Sequence, residues 1–235
     1  MMLNRPLVSV IIPIYNGAAY LEETLQSVFA QDYNPMEILL IDDGSTDTSL
    51  DIVSKFKDKV TLIVQKNRGV AVARNVGLRN AKGEFITFLD QDDIWTADKT
   101  SKQVFYLEMN QNIDYVLCRQ KLFVQSGMSC PSWLNPERLE GDHAGYLLGT
   151  LLGRRSVFNK VGFFDEQYRS GGDDSAWFFT AKDMKIPVGH MPDILFYKRI
   201  HNANESANVV PLHRDLLHII RKSIVRQREG LMHEK

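Results

Sequence analysis

Glu84-Phe85-Ile86-Thr87-Phe88-Leu89-Asp90-Gln91-Asp92-Asp93 is the stretch whose reading decides the fold. Its first six residues follow Gly83 and are dominated by β-branched and aromatic side chains, which predicts a buried strand. The last four carry three carboxylates. Charges this close repel by about 1 kcal/mol per pair at 4 Å in water, and by more near a protein interior. Stability therefore does not account for them. A divalent cation turns the repulsion into binding, because Mg²⁺ takes oxygen ligands and commonly uses one or two carboxylates plus substrate phosphates. The alternative that this stretch leaves open is a solvated acidic turn ahead of a helix beginning near Asp98.

Upstream, the same alternation of strand and helix recurs. Residues 7–13 read as a strand that Pro13 ends, and Leu21, Leu25, Val28 and Phe29 then repeat at helical spacing. Met36 to Ile41 is a second apolar strand, stopped by Asp42-Asp43-Gly44-Ser45, and Thr46 or Asp47 suits the cap of the next helix. Val60 to Val64 is a third strand, and Val72, Ala73 and Val76 mark a helix ending near Gly83. Near-continuous apolar strands alternating with helices imply an α/β fold with a mostly parallel sheet covered on both faces. Ligands in such open sheets bind beyond the carboxyl ends of the strands. Tyr15-Asn16, Asp42-Asp43 and Asp90 to Asp93 are therefore expected on one rim, which favours a binding role for the acids over a capping turn.

Downstream of Asp98 the pattern becomes mixed. A helix to about Met109 precedes two short strand-like runs, Tyr115 to Cys118 and Lys121 to Gln125, then an irregular stretch from Ser126 to Gly145. Leu151 to Phe158 is apolar, Gly171-Gly172-Asp173-Asp174 leads into a helix over Ser175–Lys182, and Ile194 to Ile200 reads as a strand. Such a half suits the shaping of a substrate site. With no internal repeat or linker, the 235 residues are expected to form one domain: about 1–110 for the first half, about 111–206 for the second, and about 207–235 for a C-terminal helix.

Composition excludes several classes. Hydrophobic content of 44% and charged content of 24% are those of a globular protein, and a net charge of −1 without a basic stripe argues against nucleic-acid binding. Two cysteines without a CxxC motif suggest a reducing compartment and no structural zinc. Leu7 to Ile12 follows Arg5 but lacks a cleavage site and leads into Pro13 and Tyr15, so it reads as a core strand rather than a signal peptide. No apolar run approaches the ~18–20 residues of a membrane span. A cytoplasmic protein is expected, with the option of peripheral contact at the inner membrane face. There is no GxxxxGK[ST] loop, no GxGxxG after the first strand and no Gly-x-Ser-x-Gly elbow. The chemistry is left to carboxylates and a metal.

Six segments in order carry a resemblance. Val8 to Asn16 (VSVIIPIYN), Ile41 to Asp47 (IDDGSTD), Gly69 to Asn75 (GVAVARN), Asp90 to Asp93 (DQDD) and Gly172-Asp173-Asp174, followed by Tyr197-Lys198-Arg199-Ile200-His201, closely resemble family 2 inverting glycosyltransferases, which have the GT-A fold. The resemblance implies transfer of a sugar from a nucleotide-diphospho-sugar, most often a UDP-sugar, to an acceptor hydroxyl in polysaccharide or glycolipid synthesis. It implies nucleotide contacts from Pro13, Tyr15, Asn16, Asp43, Arg74 and Asp90, with Asp43 accepting the uracil N3–H and Asp90 facing the ribose. Asp92 would bind Mn²⁺ or Mg²⁺, joined by His201; Arg199 would face the diphosphate; Asp174, beside Asp173, would be the general base. The chain departs from the family pattern in carrying Asp173 where Glu is usual, which shortens that side chain's reach.

Plainer readings stand beside these. Asp42 reads as structural, Arg74 also suits a solvated helix charge, and Trp133, Tyr146 and Trp177 suit packing as well as sugar stacking. From Leu212 to Arg228, Leu212, Leu216, Ile219, Ile220 and Ile224 share one face of a basic helix, which would dock on the domain, pair with a second subunit or lie on an anionic membrane. Two rival functions are a sugar-phosphate nucleotidyltransferase, whose Gly-rich first loop is absent, and a nucleotide- or carbohydrate-binding module without turnover. A dehalogenase-type phosphatase would want its D-x-D on the first strand rather than the fourth.

Overall fold

The computed structural model describes residues 5–168, 172–204 and 209–233. Gly171 and the side chain of Leu212, both used above, lie outside the described residues. One sheet runs through both halves. Four parallel strands, β1 (Val8–Ile14), β2 (Met36–Asp42), β3 (Thr61–Val64) and β4 (Phe85–Phe88), stand in the order β3-β2-β1-β4. The sheet continues through β8 (Leu151–Arg154), β6 (Tyr115–Val124), β9 (Val188–Ile200) and β5 (Ile94–Trp95), while the short β7 (His143–Ala144) pairs with β6. β8 runs antiparallel to both β4 and β6, so β6 and β9 point the same way as β4. The carboxyl ends of β1, β2, β4 and β9 therefore open on one rim.

Alternation along β1 explains the layers. Val10, Ile12 and Ile14 pack with Leu21, Leu25 and Val28 of α1 (Leu21–Phe29) and with Val53 of α2 (Ser49–Ser54). Ile11 faces the other way, toward Ala71 and Ala73 of α3 (Val70–Asn80), Val157 and Phe158 of α5 (Arg155–Val161), and Trp177 and Phe178 of α6 (Asp173–Asp183). α4 (Lys99–Met109) covers Val8 and Phe85 with Val104 and Leu107. α3 lies against β1 so closely that a Cβ on Gly77 would stand 2.3 Å from Ile11 Cγ2.

Three sequence expectations are corrected. Pro13 does not end β1; it pairs with Ile41 inside the strand. β4 is in register only as far as Ile11, whose carbonyl takes the Leu89 N–H, so the missing proline N–H faces a side with no ladder left to complete. The two runs 115–118 and 121–125 are one strand, β6, whose register against β9 shifts between Leu117 and Gln120. β9 begins at Val188 rather than Ile194, and the shift leaves Met191-Pro192-Asp193 as unpaired extra residues, which is how a proline fits there. Leu151 to Phe158 divides into β8 and α5.

α7 (Val209–His233) docks on α6: Asp183 accepts hydrogen bonds from Ser223, Arg226 and Gln227, and Ile219 is buried. Ile220 and Ile224, read from the sequence on the same face as Ile219, are 41% and 44% exposed and point outward. Among the described residues no helix is long and apolar enough to cross a membrane.

Candidate active site

The loops at the rim are tied to one another by side chains that accept backbone N–H groups. Asn16, at a positive φ of 49°, takes the Thr46 and Asp47 N–H groups on its Oδ1, and Ser45 Oγ accepts the Asn16 N–H. Asp42 takes the N–H groups of Gly44 and Ser45, which is the structural role read for it. Gln91, inside the acidic stretch, exchanges two hydrogen bonds of 2.9 Å with the backbone of Tyr15. The Tyr15 side chain is left 47% exposed at the mouth of the rim. Pro13 lies buried beneath it.

Asp43 is buried and fully engaged. Its Oδ1 accepts from Gln65 Nε2 at 2.7 Å and from the Arg68 N–H at 2.9 Å, while Oδ2 accepts from the Gly69 N–H at 2.7 Å. Its backbone donors are Gly69, the residue that caps α3, and Arg68 before it. Asp43 thereby fixes the loop between β3 and α3, and any base it reads must share those oxygens.

Arg74 is no solvated helix charge. It is buried, and its fork joins the two halves: Nη2 donates to Asp90 at 2.6 Å and Nη1 to Asp173 at 2.7 Å. Asp173 is fully buried, so the shorter acid still reaches a partner. Arg74 Nε and Asp173 Oδ1 are buried without hydrogen-bond partners among the described residues. Burial pushes the Asp90 carboxyl up, but Arg74 and then Lys198 outweigh it and hold the group below its ordinary value.

Asp174 stands in the first turn of α6, whose cap is Gly172 at φ 106°, a left-handed backbone that glycine adopts without strain. It is half-buried, and one oxygen accepts the Ser175 N–H. Burial, then Asp173, push its carboxyl up to about 6, against the opposing pull of Arg74. That value suits a group that must take a proton near neutral pH.

His201 and Asp92 meet at 2.9 Å between Nε2 and Oδ2. His201 Nδ1 faces the Ala203 N–H at 3.2 Å and Nε2 also lies 3.1 Å from Asn204 Nδ2; with Nε2 unprotonated, that nitrogen and the Asp92 carboxylate present two lone pairs to a cation. The ring stacks on Tyr20 with centroids 4.4 Å apart. Among the described residues no group of three His, Cys, Asp or Glu side chains is arranged to hold a metal. Two donors of the right chemistry, 2.9 Å apart, nevertheless suit a cation that binds at about 2.0–2.1 Å and keeps its other positions for phosphate and water.

Arg199, expected to face the diphosphate, is turned inward. Its side chain is 2% exposed, donates to the Asp92 carbonyl at 2.8 Å, to Glu23 at 2.7 Å and to Gln125, and lies between the rings of Tyr20 and Phe123. It fixes the acid loop from behind. Asp93 is buried and accepts the Arg199 N–H; burial pushes its carboxyl up to about 8. The residue that sequence reasoning missed is Lys198, whose Nζ stands 3.7 Å from the buried Asp93 Oδ2. Its only sequence signal was its place between Tyr197 and Arg199.

A family model, Glycosyl transferase family 2, matches residues 9–162. The chain belongs to glycosyltransferase family 2. Among its relatives is an Escherichia coli enzyme, UDP-Glc:alpha-D-GlcNAc-diphosphoundecaprenol beta-1,3-glucosyltransferase WfaP, 32% identical over 210 residues that make up 86% of this chain and 80% of that one. The glycosyltransferase also superimposes on TarS of Staphylococcus aureus in complex with UDP-GlcNAc, with a TM-score of 0.72, 25% identity and coverage of 93% of this chain and 66% of TarS. A Pyrobaculum calidifontis mannosyltransferase determined with GDP-Man and Mn²⁺ shares the GT-A fold, at 23% identity and a TM-score of 0.72, over 94% of this chain and 64% of that one. The glycosyltransferase spans 65% and 50% of the length of two other curated relatives, from Rickettsia typhi and Haemophilus influenzae.

Proposed function

We propose that this glycosyltransferase is a metal-dependent, inverting enzyme that moves a sugar from a UDP-sugar to an acceptor hydroxyl in cell-envelope polysaccharide or glycolipid synthesis. The observation that carries the reading is the placement of Asp174 in the first turn of α6, beside Asp173, which the buried fork of Arg74 joins to Asp90 on the acid loop. From there Asp174 takes the proton of the acceptor hydroxyl as its oxygen attacks the anomeric carbon in line with the departing diphosphate. One displacement inverts the anomeric centre and needs no protein nucleophile.

Arg74 holds Asp90 for the ribose and Asp173 for the turn that presents Asp174, so the donor half and the base keep one geometry. Tyr15, Asn16 and Asp43 border the pocket for the base. Asp92 and His201 would hold Mn²⁺ or Mg²⁺, which when bound supplies positive charge to the leaving diphosphate. A UDP donor and a lipid-linked acceptor are favoured by the names of TarS in its UDP-GlcNAc complex and of WfaP. An acceptor of that kind would bring the protein to the inner face of the membrane.

The test is turnover with a panel of UDP-, GDP- and CDP-sugars, Mn²⁺ and a diphospholipid-linked acceptor sugar, reading nucleotide release and the anomeric configuration of the product by NMR. Release of UDP with an inverted product is expected. Retention of configuration, or full turnover in EDTA, refutes the mechanism.

A further inference from the structure

Among the described residues, Arg74, Lys198 and Arg199 bring positive charge to the acidic rim, and they are held very differently. Arg74 is 7% exposed and hydrogen-bonded to two carboxylates. Arg199 is clamped by Glu23, Gln125 and two aromatic rings. Both are fixed parts of the frame.

Lys198 is held loosely. Its side chain is 20% exposed, and its ion pair with Asp93 Oδ2, at 3.7 Å, is longer than a hydrogen bond. That oxygen is itself buried without a hydrogen-bond partner, while the other oxygen of Asp93 is committed to the Arg199 N–H. Burial alone would lower the ammonium's pKa, yet Asp93, Asp90, Asp92 and Asp174 together hold it above the usual value. One compact charge on a flexible four-carbon stem thus stands among four carboxylates, three from the loop after β4 and one from α6. A diphosphate entering this rim meets like charge on the loop after β4 and at the start of α6, and needs a cation able to turn toward it.

Resting on the donor reading above, we propose that Lys198 is a diphosphate-binding residue that exchanges partners. Its ammonium faces Asp93 in the free protein and moves onto the donor's diphosphate oxygens when the nucleotide-sugar binds. Because it also stands near Asp92, it opposes a divalent cation that arrives without a donor. These two actions have opposite signs, and a residue that only supports the fold has no reason to show both.

Calorimetric titration of wild type, Lys198→Met, Lys198→Gln and Lys198→Arg separates them, using inorganic pyrophosphate alone, Mn²⁺ alone and UDP alone. In the two neutral variants pyrophosphate binding is expected to weaken about tenfold or more, the loss of a hydrogen bond to a charged group. Mn²⁺ binding is expected to tighten by about threefold to tenfold, the removal of one nearby like charge. Lys198→Arg keeps pyrophosphate affinity near that of wild type. Thermal denaturation shows which neutral variant retains its fold, and that variant is the one read. Unchanged pyrophosphate affinity, or weaker binding of both ligands, overturns the proposal, as does a wild type that binds no pyrophosphate. A wild type that binds pyrophosphate but not UDP refutes the UDP-sugar reading while the Lys198 assignment stands.

Discussion

Replacing Arg74 by methionine keeps much of the stem volume and removes the guanidinium that joins the two halves of the site. Two charged hydrogen bonds disappear, to Asp90 at 2.6 Å and to Asp173 at 2.7 Å. Asp173 is fully buried and one of its oxygens already lacks a partner among the described residues, so the variant strands a carboxylate in the interior. Removing one member of a buried pair costs about 3–5 kcal/mol. Against the ~5–15 kcal/mol that holds a domain folded, this is large, and for a chain of this size it lowers Tm by roughly 6–20 °C. The second effect falls on Asp174. Burial and Asp173 push its carboxyl up to about 6, Asp90 adds to the rise, and Arg74 opposes it, while Lys198 faces it from β9. Without Arg74 the group rises further. A general base works ionised, so kcat/KM climbs with pH through its pKa, and the acidic limb, near pH 6 in the wild type, moves to higher pH in the variant. Each unit of that movement is ~1.4 kcal/mol of lost preference for the carboxylate. The assay is nucleotide release at subsaturating donor from about pH 5 to about pH 9, since kcat/KM reports groups of the free enzyme. Arg74→Lys keeps the charge and loses the fork, so it should lose stability while moving the limb less. A folded Arg74→Met enzyme whose limb stays in place or moves to lower pH refutes the reasoning.

Asp174→Asn should lower kcat by about 10²–10⁴ with nucleotide affinity nearly unchanged; near-normal turnover removes Asp174 from the base role. Asp92→Asn should weaken Mn²⁺ binding, read by calorimetry, by more than the 10–100-fold that outer partners of a metal are worth; equal affinity would place the cation elsewhere. Gly77→Ala should destabilise the protein by about 1–3 kcal/mol, because its Cβ would press on Ile11 from 2.3 Å. A gain in stability from helix propensity, up to about 1 kcal/mol, would show that α3 can lift away from β1.

The alternating half of the chain was legible because β1, β2 and β4 are largely buried on both faces and its helices repeat with a clear period. β1, β2 and β4 carry little but apolar residues, so the parallel sheet and the shared rim followed from them directly. Legibility stopped where local pattern and final pairing part company. Arg119 and Gln120 interrupt β6 in sequence, yet the register shift absorbs them in space. Pro192 argues against a strand until the extra residues of β9 give it a place. Ile94 and Trp95 are too short a run to announce β5, whose partner lies about a hundred residues away. For the site, the acidic positions could be placed but the destinations of the cations could not. Arg199 faces the interior and Lys198 the acids, a consequence of strand alternation that sequence spacing alone did not orient. Asp43 and Arg74 drew functional expectations from the loop after β2 and the start of α3. Their engagement with the Gly69 N–H and with Asp173 became visible only in three dimensions.

The acid loop is held from far along the chain. Asp93 receives the N–H of Arg199, the Asp92 carbonyl receives its guanidinium, and His201 meets the Asp92 carboxylate. β5 returns to β9 at Ile94–Tyr197 and Trp95–Phe196. Contacts of such long sequence separation form late, because the loop they close must be ordered first. On the ribosome, therefore, the four βα repeats can assemble while the acid loop still lacks its clasp. Competence to bind a donor should appear after most secondary structure, when residues 188–201 close on the sheet.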